Sequence, residues 1–190
     1  MIRAFIAVDL NETLRREISA LQTDLRSARA DVKWVEPGNL HLTLKFLGSV
    51  DENHLLPLTD ALKTSGLRHH PFTISLGGLG CFPNMESPRV IWIAVSAGKE
   101  DLGRLAQAME EACVNLGFPK EERAFSPHLT IGRMRSQDRL VELVKRLRAT
   151  PFRGSELAPI ERLVLFQSHL SPRGSTYTPL AEIPLTPPHS

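Results

Sequence analysis

The sequence is poor in cysteine and contains no long apolar segment. Its two cysteines, Cys81 and Cys113, stand far apart and form no C-x-x-C pair. This argues against a disulfide framework and favours a reducing, cytoplasmic setting. No window approaches the ~18 apolar residues that a membrane-spanning helix requires, and the first residues lack the apolar stretch of a secretory signal. We therefore expect a cytoplasmic protein without a membrane partner.

The charge balance excludes a further class of protein. The formal net charge of the 190 residues is only +2. An extended surface for wrapping nucleic acid needs a much larger basic excess, so any anion-binding site must be local. The apolar content of 42% and the charged content of 23% are typical of a folded soluble domain. At this length we expect one domain over residues 1–190, and we expect it to be a monomer.

Strand-like and helix-like segments alternate along the chain and do so twice in the same order. In each half, 39 positions separate the start of the first strand from the histidine of a His-Leu-Thr stretch, His41 or His128. We interpret this as an internal duplication, roughly 1–88 and 89–170. An additional edge strand is predicted after it, because its two prolines suit an edge position. The last seven residues are expected to be a loose end.

Two predicted helices carry start and stop signals. Asn11 precedes the first helical pattern and is a suitable N-cap. Asp51 precedes a second pattern that ends at Gly66. Pro57 falls within the first two turns of this second helix, which is tolerable if the helix starts late.

The first His-Leu-Thr stretch, within residues 39–48, is a predicted strand. Since side chains on a strand alternate between faces, His41, Thr43 and Lys45 are expected to share one face. Leu42, Leu44 and Phe46 are expected to share the opposite face, which is the core face. Lys45 thereby becomes a candidate phosphate contact in a cleft, with a position at the rim as the alternative.

The second His-Leu-Thr stretch repeats this pattern. His128 and Thr130 are expected to share a face, which Gly132 leaves open two residues further on. If the two halves pack about a pseudo-two-fold axis, the equivalent strands present two imidazoles and two hydroxyls to one central cleft. The repetition therefore predicts one composite site between two lobes.

Two opposed imidazoles suit in-line attack on phosphorus. One ring takes a proton from the nucleophile while the other gives a proton to the leaving oxygen, and an unperturbed pKa of about 6.5 allows one neutral and one protonated ring near neutral pH. The hydroxyls of Thr43 and Thr130 can donate to non-bridging phosphate oxygens, and Arg133 adds a planar, charged donor. This chemistry demands no metal.

Other interpretations remain open from the residues alone. A duplicated core could keep the His-Leu-Thr stretch for packing. His41 and His128 could instead bind a metal, although no carboxylate or cysteine accompanies them at a known spacing. A hairpin turn is predicted at residues 171–177, and its Arg173 and Tyr177 are further candidates for ligand contact.

The segments HLTLKFLG and FSPHLTIGR resemble the paired H-x-T-x signatures of the two-histidine phosphoesterase superfamily. The resemblance is specifically to its bacterial and archaeal RNA 2′,3′-cyclic phosphodiesterase branch, often called 2′-5′ RNA ligase-like. The opening RAFIAVDL, the run WVEPGNLHLTL and the late LSPRGSTYTPL are similar to that branch as well. This resemblance implies an α+β fold of two pseudo-symmetric lobes. Each lobe would be an antiparallel sheet with helices on its outer face, and the active-site cleft would lie between the lobes.

The resemblance also implies a reaction and residue roles. His41 would be the general acid and His128 the general base, with Thr43, Thr130 and Arg133 binding phosphate. The reaction would be hydrolysis of RNA 2′,3′-cyclic phosphodiester ends to 2′-phosphomonoesters without a metal or other cofactor, with reversible 2′-5′ RNA ligation as a related activity. The partner would be RNA with 2′,3′-cyclic phosphate ends, tRNA fragments among the candidates, or a related nucleotide. The alternative is a non-catalytic nucleotide-binding or RNA-binding module on the same scaffold.

Overall fold

A computed structural model describes residues 1–171 and 174–186 of the chain. These residues form nine strands and four α-helices. In chain order the elements are β1 (Ile2–Asp9), α1 (Glu12–Arg26), β2 (Val32–Trp34), β3 (His41–Val50), α2 (Leu55–Gly66), β4 (Phe72–Phe82), β5 (Val90–Ala97), α3 (Lys99–Val114), β6 (His128–Met134), α4 (Leu140–Ala149), β7 (Ala158–Ile160), β8 (Arg162–Ser171) and β9 (Gly174–Pro184).

The strands form two antiparallel sheets. The first sheet has the order β3-β1-β8-β9 and the second has the order β2-β6-β5-β4-β7. Helices α2 and α3 pack on each other and on strands of the first sheet, whereas α1 packs on α4 and reaches β6 of the second sheet through Gln22. The predicted α+β class with two lobes is therefore confirmed. None of the described helices is both long and apolar enough to cross a membrane.

The two sheets do not coincide with the two halves of the sequence. β4 follows β1 and β3 in the chain but lies in the second sheet, and β8 follows β5 and β6 but lies in the first. Each half therefore places its last long strand in the sheet built mainly by the other half. The boundaries 1–88 and 89–170 for the duplication stay a prediction, but the halves interlock because both sheets contain strands from each of them.

The predicted helix signals are confirmed for α1 and only in part for α2. The Asn11 side chain accepts a hydrogen bond from the backbone N–H of Leu14 (2.9 Å) and caps α1. Asp51 accepts from the N–H of Asn53 (3.0 Å), but this caps a short 3-10 turn and α2 starts only at Leu55. Pro57 thus falls in the first turn of α2, where its missing N–H costs little.

The C-terminal part confirms one prediction and corrects another. β9 pairs only with β8 and is an edge strand, as its prolines indicated. Leu185, expected in a loose end, is 3% exposed and its N–H donates to the Glu161 carbonyl (2.8 Å). The expectation was wrong there because one buried leucine fastens the segment, whereas residues 187–190 lie outside the described residues. β2 and β7 were not predicted, since three residues are too few to show a period.

The interlocked sheets predict that neither half folds alone. A fragment of residues 1–88 would leave β1 without β8 and β4 without β5, exposing strand edges and most of the core. We expect this fragment to show no cooperative unfolding transition by circular dichroism, whereas the whole chain unfolds cooperatively. A fragment with its own sharp transition would contradict the interlocked arrangement.

Candidate functional site

The two His-Leu-Thr stretches begin equivalent strands. His41 is the first residue of β3, and His128 is the first residue of β6. β3 lies at one edge of the first sheet, β6 lies in the second, and these two strands contact each other. The two strands that begin with these motifs therefore meet where the lobes join, although they are far apart in sequence.

Both imidazoles are held in the same way by the backbone. The Nδ1 of His41 lies 2.7 Å from the Asn39 carbonyl oxygen, and the Nδ1 of His128 lies 2.7 Å from the Ser126 carbonyl oxygen. A carbonyl can only accept, so Nδ1 carries a proton in each ring. Among the described residues neither Nε2 has a hydrogen-bond partner. Each ring is thus fixed in the tautomer that leaves Nε2 free for proton transfer.

A β-bulge follows each His-Leu-Thr stretch at the same position. Where β3 pairs with β1, the register passes from Thr43 directly to Lys45 and leaves Leu44 without a partner. Where β6 pairs with β5, it passes from Thr130 to Gly132 and leaves Ile131 without a partner. An extra residue in a strand shifts the facing of all that follow. Strict alternation therefore fails from the fourth residue after each histidine.

The first bulge overturns the predicted facing of two residues. Lys45 was expected in the cleft, but it is 5% exposed, and its Nζ donates to the Glu110 carboxylate (2.7 Å) and to the Pro119 carbonyl (2.9 Å). Phe46 was expected in the core, but it is 64% exposed. Both predictions were wrong because the unpaired Leu44 moves Lys45 to the core face and Phe46 to the histidine face.

The second bulge has the same effect on its strand. Gly132 was expected to open the histidine face, but it is buried, and a β-carbon there would lie 2.8 Å from Val32 Cγ1 and 3.1 Å from Trp34 Cε3 on the core side. Arg133 is exposed and comes to the face of His128. The prediction for Gly132 was wrong, and the same bulge that overturns it makes Arg133 available beside the site.

A buried amide supports the second bulge from the opposite side. Gln22 of α1 is 2% exposed, and its Nε2 donates to the carbonyls of Ile131 (2.9 Å) and Val35 (2.8 Å). The Ile131 carbonyl also accepts from the Val35 N–H (3.0 Å). The Ile131 carbonyl, which belongs to the residue that the bulge leaves unpaired, therefore has hydrogen-bond partners inside the protein, as a buried carbonyl requires.

Aromatic rings form the wall behind each histidine. The Phe5 ring lies 4.7 Å from the His41 ring, and Tyr177 meets His41 edge-on at 5.0 Å. On the other side, Phe82 meets His128 edge-on at 5.0 Å, with Trp92 at 6.2 Å. The sequence pattern did not indicate Phe5, Phe82 and Trp92 as part of the site. The duplication could have indicated one pair, because Phe5 and Trp92 occupy equivalent positions of β1 and β5.

Burial changes the acidity of one of the two rings. Removal from water lowers the pKa of His41 to about 4. The Asn39 carbonyl and the Asp9 carboxylate act in the opposite direction, and the Arg15 guanidinium, ion-paired with Asp9, again favours the neutral ring. His41 is therefore neutral at pH 7 in the free protein.

The remaining candidates are placed as follows. Thr43 and Thr130 are half-buried, and each lies two residues after its histidine on the same face of the strand. Tyr177 contacts His41, as described, whereas Arg173 lies outside the described residues. In residues 1–171 and 174–186, no three His, Cys, Asp or Glu side chains are grouped as metal ligands.

Two sheets that each present a histidine and a threonine from equivalent bulged strands define the class of two-histidine phosphoesterases. The family model described as LigT like Phosphoesterase matches the chain twice, at residues 8–92 and 93–177. The chain therefore belongs to the LigT-like phosphoesterase family. The resemblance seen in the sequence is confirmed.

Relatives match over nearly the whole chain. A Methanothermobacter thermautotrophicus protein named RNA 2′,3′-cyclic phosphodiesterase is 39% identical over 93% of this chain and 95% of its own length. An Archaeoglobus fulgidus protein of the same name is 38% identical over 94% and 98%.

Solved structures show the same fold. The crystal structure of TT0787 from Thermus thermophilus has a TM-score of 0.82 and 30% identity, covering 99% of this chain and 100% of that one. The structure of E. coli LigT complexed with 3′-AMP has a TM-score of 0.73 and 26% identity, covering 97% and 98%. The overall fold of the chain is thus shared with both of these structures.

The buried Lys45 predicts a stability defect. Lys45→Met leaves the Glu110 carboxylate and the Pro119 carbonyl without their shared donor, so we expect the free energy of unfolding to fall by about 3 kcal/mol. Urea unfolding measures this difference. Lys63→Met, at an exposed lysine of α2, is the control and is expected to change stability by less than about 0.5 kcal/mol. A Lys45→Met protein as stable as the wild type would contradict the role of the buried ion pair.

Proposed function

We propose that this chain hydrolyses RNA 2′,3′-cyclic phosphodiester ends to 2′-phosphomonoesters without a metal. The observation that carries the proposal is the matched pair of imidazoles, each with Nδ1 bonded to a backbone carbonyl and Nε2 free, on strands that meet between the lobes. The names of the archaeal relatives support the substrate class, since both are called RNA 2′,3′-cyclic phosphodiesterases. The nucleotide complex of E. coli LigT supports a nucleotide ligand for this fold.

The proposed step is in-line displacement at phosphorus. His128 Nε2 takes a proton from water as the water oxygen bonds to phosphorus. The bond from phosphorus to the 3′ oxygen breaks, and that oxygen receives a proton from His41 Nε2. The phosphate stays on the 2′ oxygen. After the step His128 is protonated and His41 is neutral. Proton exchange with solvent then restores the starting state of each ring.

The threonines and the arginine stabilise the reacting phosphate in this proposal. Thr43 and Thr130 stand on the histidine face, each next to its histidine, and their hydroxyls donate to non-bridging oxygens. Arg133 is brought to the same face by the second bulge, and its guanidinium adds fixed positive charge as negative charge builds up on the phosphorane. These interactions are strongest in the transition state, which is what accelerates the reaction.

The low pKa of His41 shapes its role as general acid. Burial keeps the ring neutral in the free protein at pH 7, with a pKa of about 4. A phosphodiester anion beside the ring favours the protonated form and raises its pKa. In the proposed cycle His41 therefore gains its proton together with the substrate.

The reverse type of reaction uses the same groups. If a 5′-hydroxyl of a second RNA replaces water, His128 activates that hydroxyl and the product is a 2′-5′ linkage. Hydrolysis is the proposed main reaction, since water is always present at the site. Joining of matched RNA halves, measured beside hydrolysis at high end concentration, tests this secondary activity, and its complete absence would exclude ligation.

Removing either imidazole is expected to abolish most of the activity. Proton transfer by a positioned side chain contributes about 10² to 10⁴ in rate, so His41→Ala and His128→Ala should each lose at least about 100-fold in kcat. The measurement is release of 2′-phosphomonoester from an oligonucleotide with a 2′,3′-cyclic end, in EDTA. His54→Ala, at an exposed histidine beside α2, is the control and should keep the wild-type rate.

These variants also separate the enzyme from a binding module. Wild-type rates in both active-site variants would exclude the paired mechanism. Binding of the oligonucleotide with no hydrolysis by the wild type would favour the non-catalytic module instead. Activity that EDTA removes would contradict metal independence.

The acidity of His41 predicts the pH dependence. One limb of the kcat/KM profile should lie near pH 4, because on its acid side no neutral imidazole remains to take the proton from water. At high pH no protonated ring remains, so the profile is bell-shaped. Because bound phosphate raises the pKa of His41, the corresponding limb of the kcat profile should lie at higher pH. Profiles that are flat between about pH 4 and 9 would contradict paired imidazoles.

A further inference from the structure

A lysine outside both His-Leu-Thr stretches lies beside the proposed phosphate-binding residue Arg133. Lys33 lies on β2 and is the direct register partner of Arg133 on β6. Side chains of directly paired residues share a face. The residues on either side of Lys33, Val32 and Trp34, pack on the core side against Gly132. Lys33 therefore points to the same face as Arg133, which is the histidine face of the second sheet.

Lys33 also reaches the opposite lobe. Its Nζ lies so close to Gly174, the first residue of β9, that a β-carbon built there would be 2.9 Å away. β2 belongs to the second sheet and β9 to the first. The ammonium group thus lies where β2 of the second sheet and the start of β9 of the first sheet come close to each other.

The pair Lys33 and Arg133 carries uncompensated positive charge. Like charges directly opposite each other on a sheet repel and cost stability. In the part of the chain that the structure describes, neither side chain forms an ion pair with a carboxylate. Two cations held together without an acidic partner form an anion-binding position, and the chain as a whole has little excess positive charge to spread there.

The spacing separates this position from the reacting phosphate. Residues on one face of a strand are about 7 Å apart. Along β6 the order on the histidine face is His128, Thr130, Arg133, so Arg133 lies about two steps from the histidine. Arg133 can serve the reacting phosphate, whereas Lys33, one strand further away, is better placed for a neighbouring phosphate of the same chain.

We propose that Lys33 binds the phosphodiester on the 5′ side of the terminal nucleotide while the cyclic phosphate occupies the histidines. This rests on the proposed function and refines it, because it makes an oligonucleotide end the preferred substrate over a cyclic mononucleotide. Lys33 is then a residue for substrate selection that does not touch the reacting atoms.

The test compares kcat/KM for a substrate that carries one phosphate with kcat/KM for a substrate that carries two. Adenosine 2′,3′-cyclic phosphate carries only the reacting phosphate, and the adenosine dinucleotide with a 2′,3′-cyclic end adds the 5′-side phosphodiester. For Lys33→Gln we expect the loss in kcat/KM on the dinucleotide to exceed that on the mononucleotide by about tenfold, since one charge-assisted bond is lost. Lys33→Arg should restore most of the difference. The dependence of log KM on log salt should fall by about 0.7 for the dinucleotide.

The control is Lys63→Gln, which removes the same charge from the exposed face of α2. It should change both substrates equally and by less than about twofold. Equal losses on both substrates in Lys33→Gln would overturn the proposal, because Lys33 would then serve the reacting phosphate or the fold. No loss on either substrate would overturn it as well.

A second arm does not depend on turnover. Calorimetry compares binding of adenosine 2′-phosphate with binding of the adenosine dinucleotide that ends in a 2′-phosphate. Tighter binding of the dinucleotide that Lys33→Gln removes supports the second phosphate site even if hydrolysis fails, and equal affinities in the wild type overturn it. Failure of the proposed reaction and failure of this site are thereby distinguishable.

Discussion

The bulge after each His-Leu-Thr stretch is the constraint on which the site depends. On a regular strand, the residue five positions after a histidine faces the opposite side of the sheet. One unpaired residue in each strand reverses this, so that Arg133 joins the face of His128 while Lys45 enters the core. The same irregularity therefore supplies a cation to the cleft from one strand and an internal ion pair from the other. Gln22 accommodates the carbonyl that the second bulge leaves over.

The two copies are alike at their histidines and different just beyond them. Both rings use the same backbone hydrogen bond and the same tautomer, which is what exchangeable acid and base roles require. Phe46 and Arg133 occupy equivalent positions, one apolar and exposed, the other cationic. His41 is packed among aromatic rings and has a lowered pKa. Two equivalent strands can thus bind an asymmetric substrate, because the residues around each histidine differ.

The parts of the account that the sequence could predict are those set by repetition. His41, His128 and their threonines were found because a short pattern recurs at the same distance from the same elements. The facing of Lys45 was not predictable, since alternation contains no signal for an unpaired residue. The exchange of β4 and β8 between sheets was also hidden, because a strand's own residues do not identify its neighbours. Lys33 was missed because its three-residue strand is too short to show a period.

The central claim is that both imidazoles act on one phosphoryl group. The most direct measurement is a crystal structure with adenosine 2′-phosphate, the product of the proposed reaction. The account predicts that Nε2 of His41 and Nε2 of His128 each lie within about 3.2 Å of oxygens on, or displaced from, the same phosphorus. A phosphate bound to one ring alone, with the other ring in a separate pocket, would contradict it.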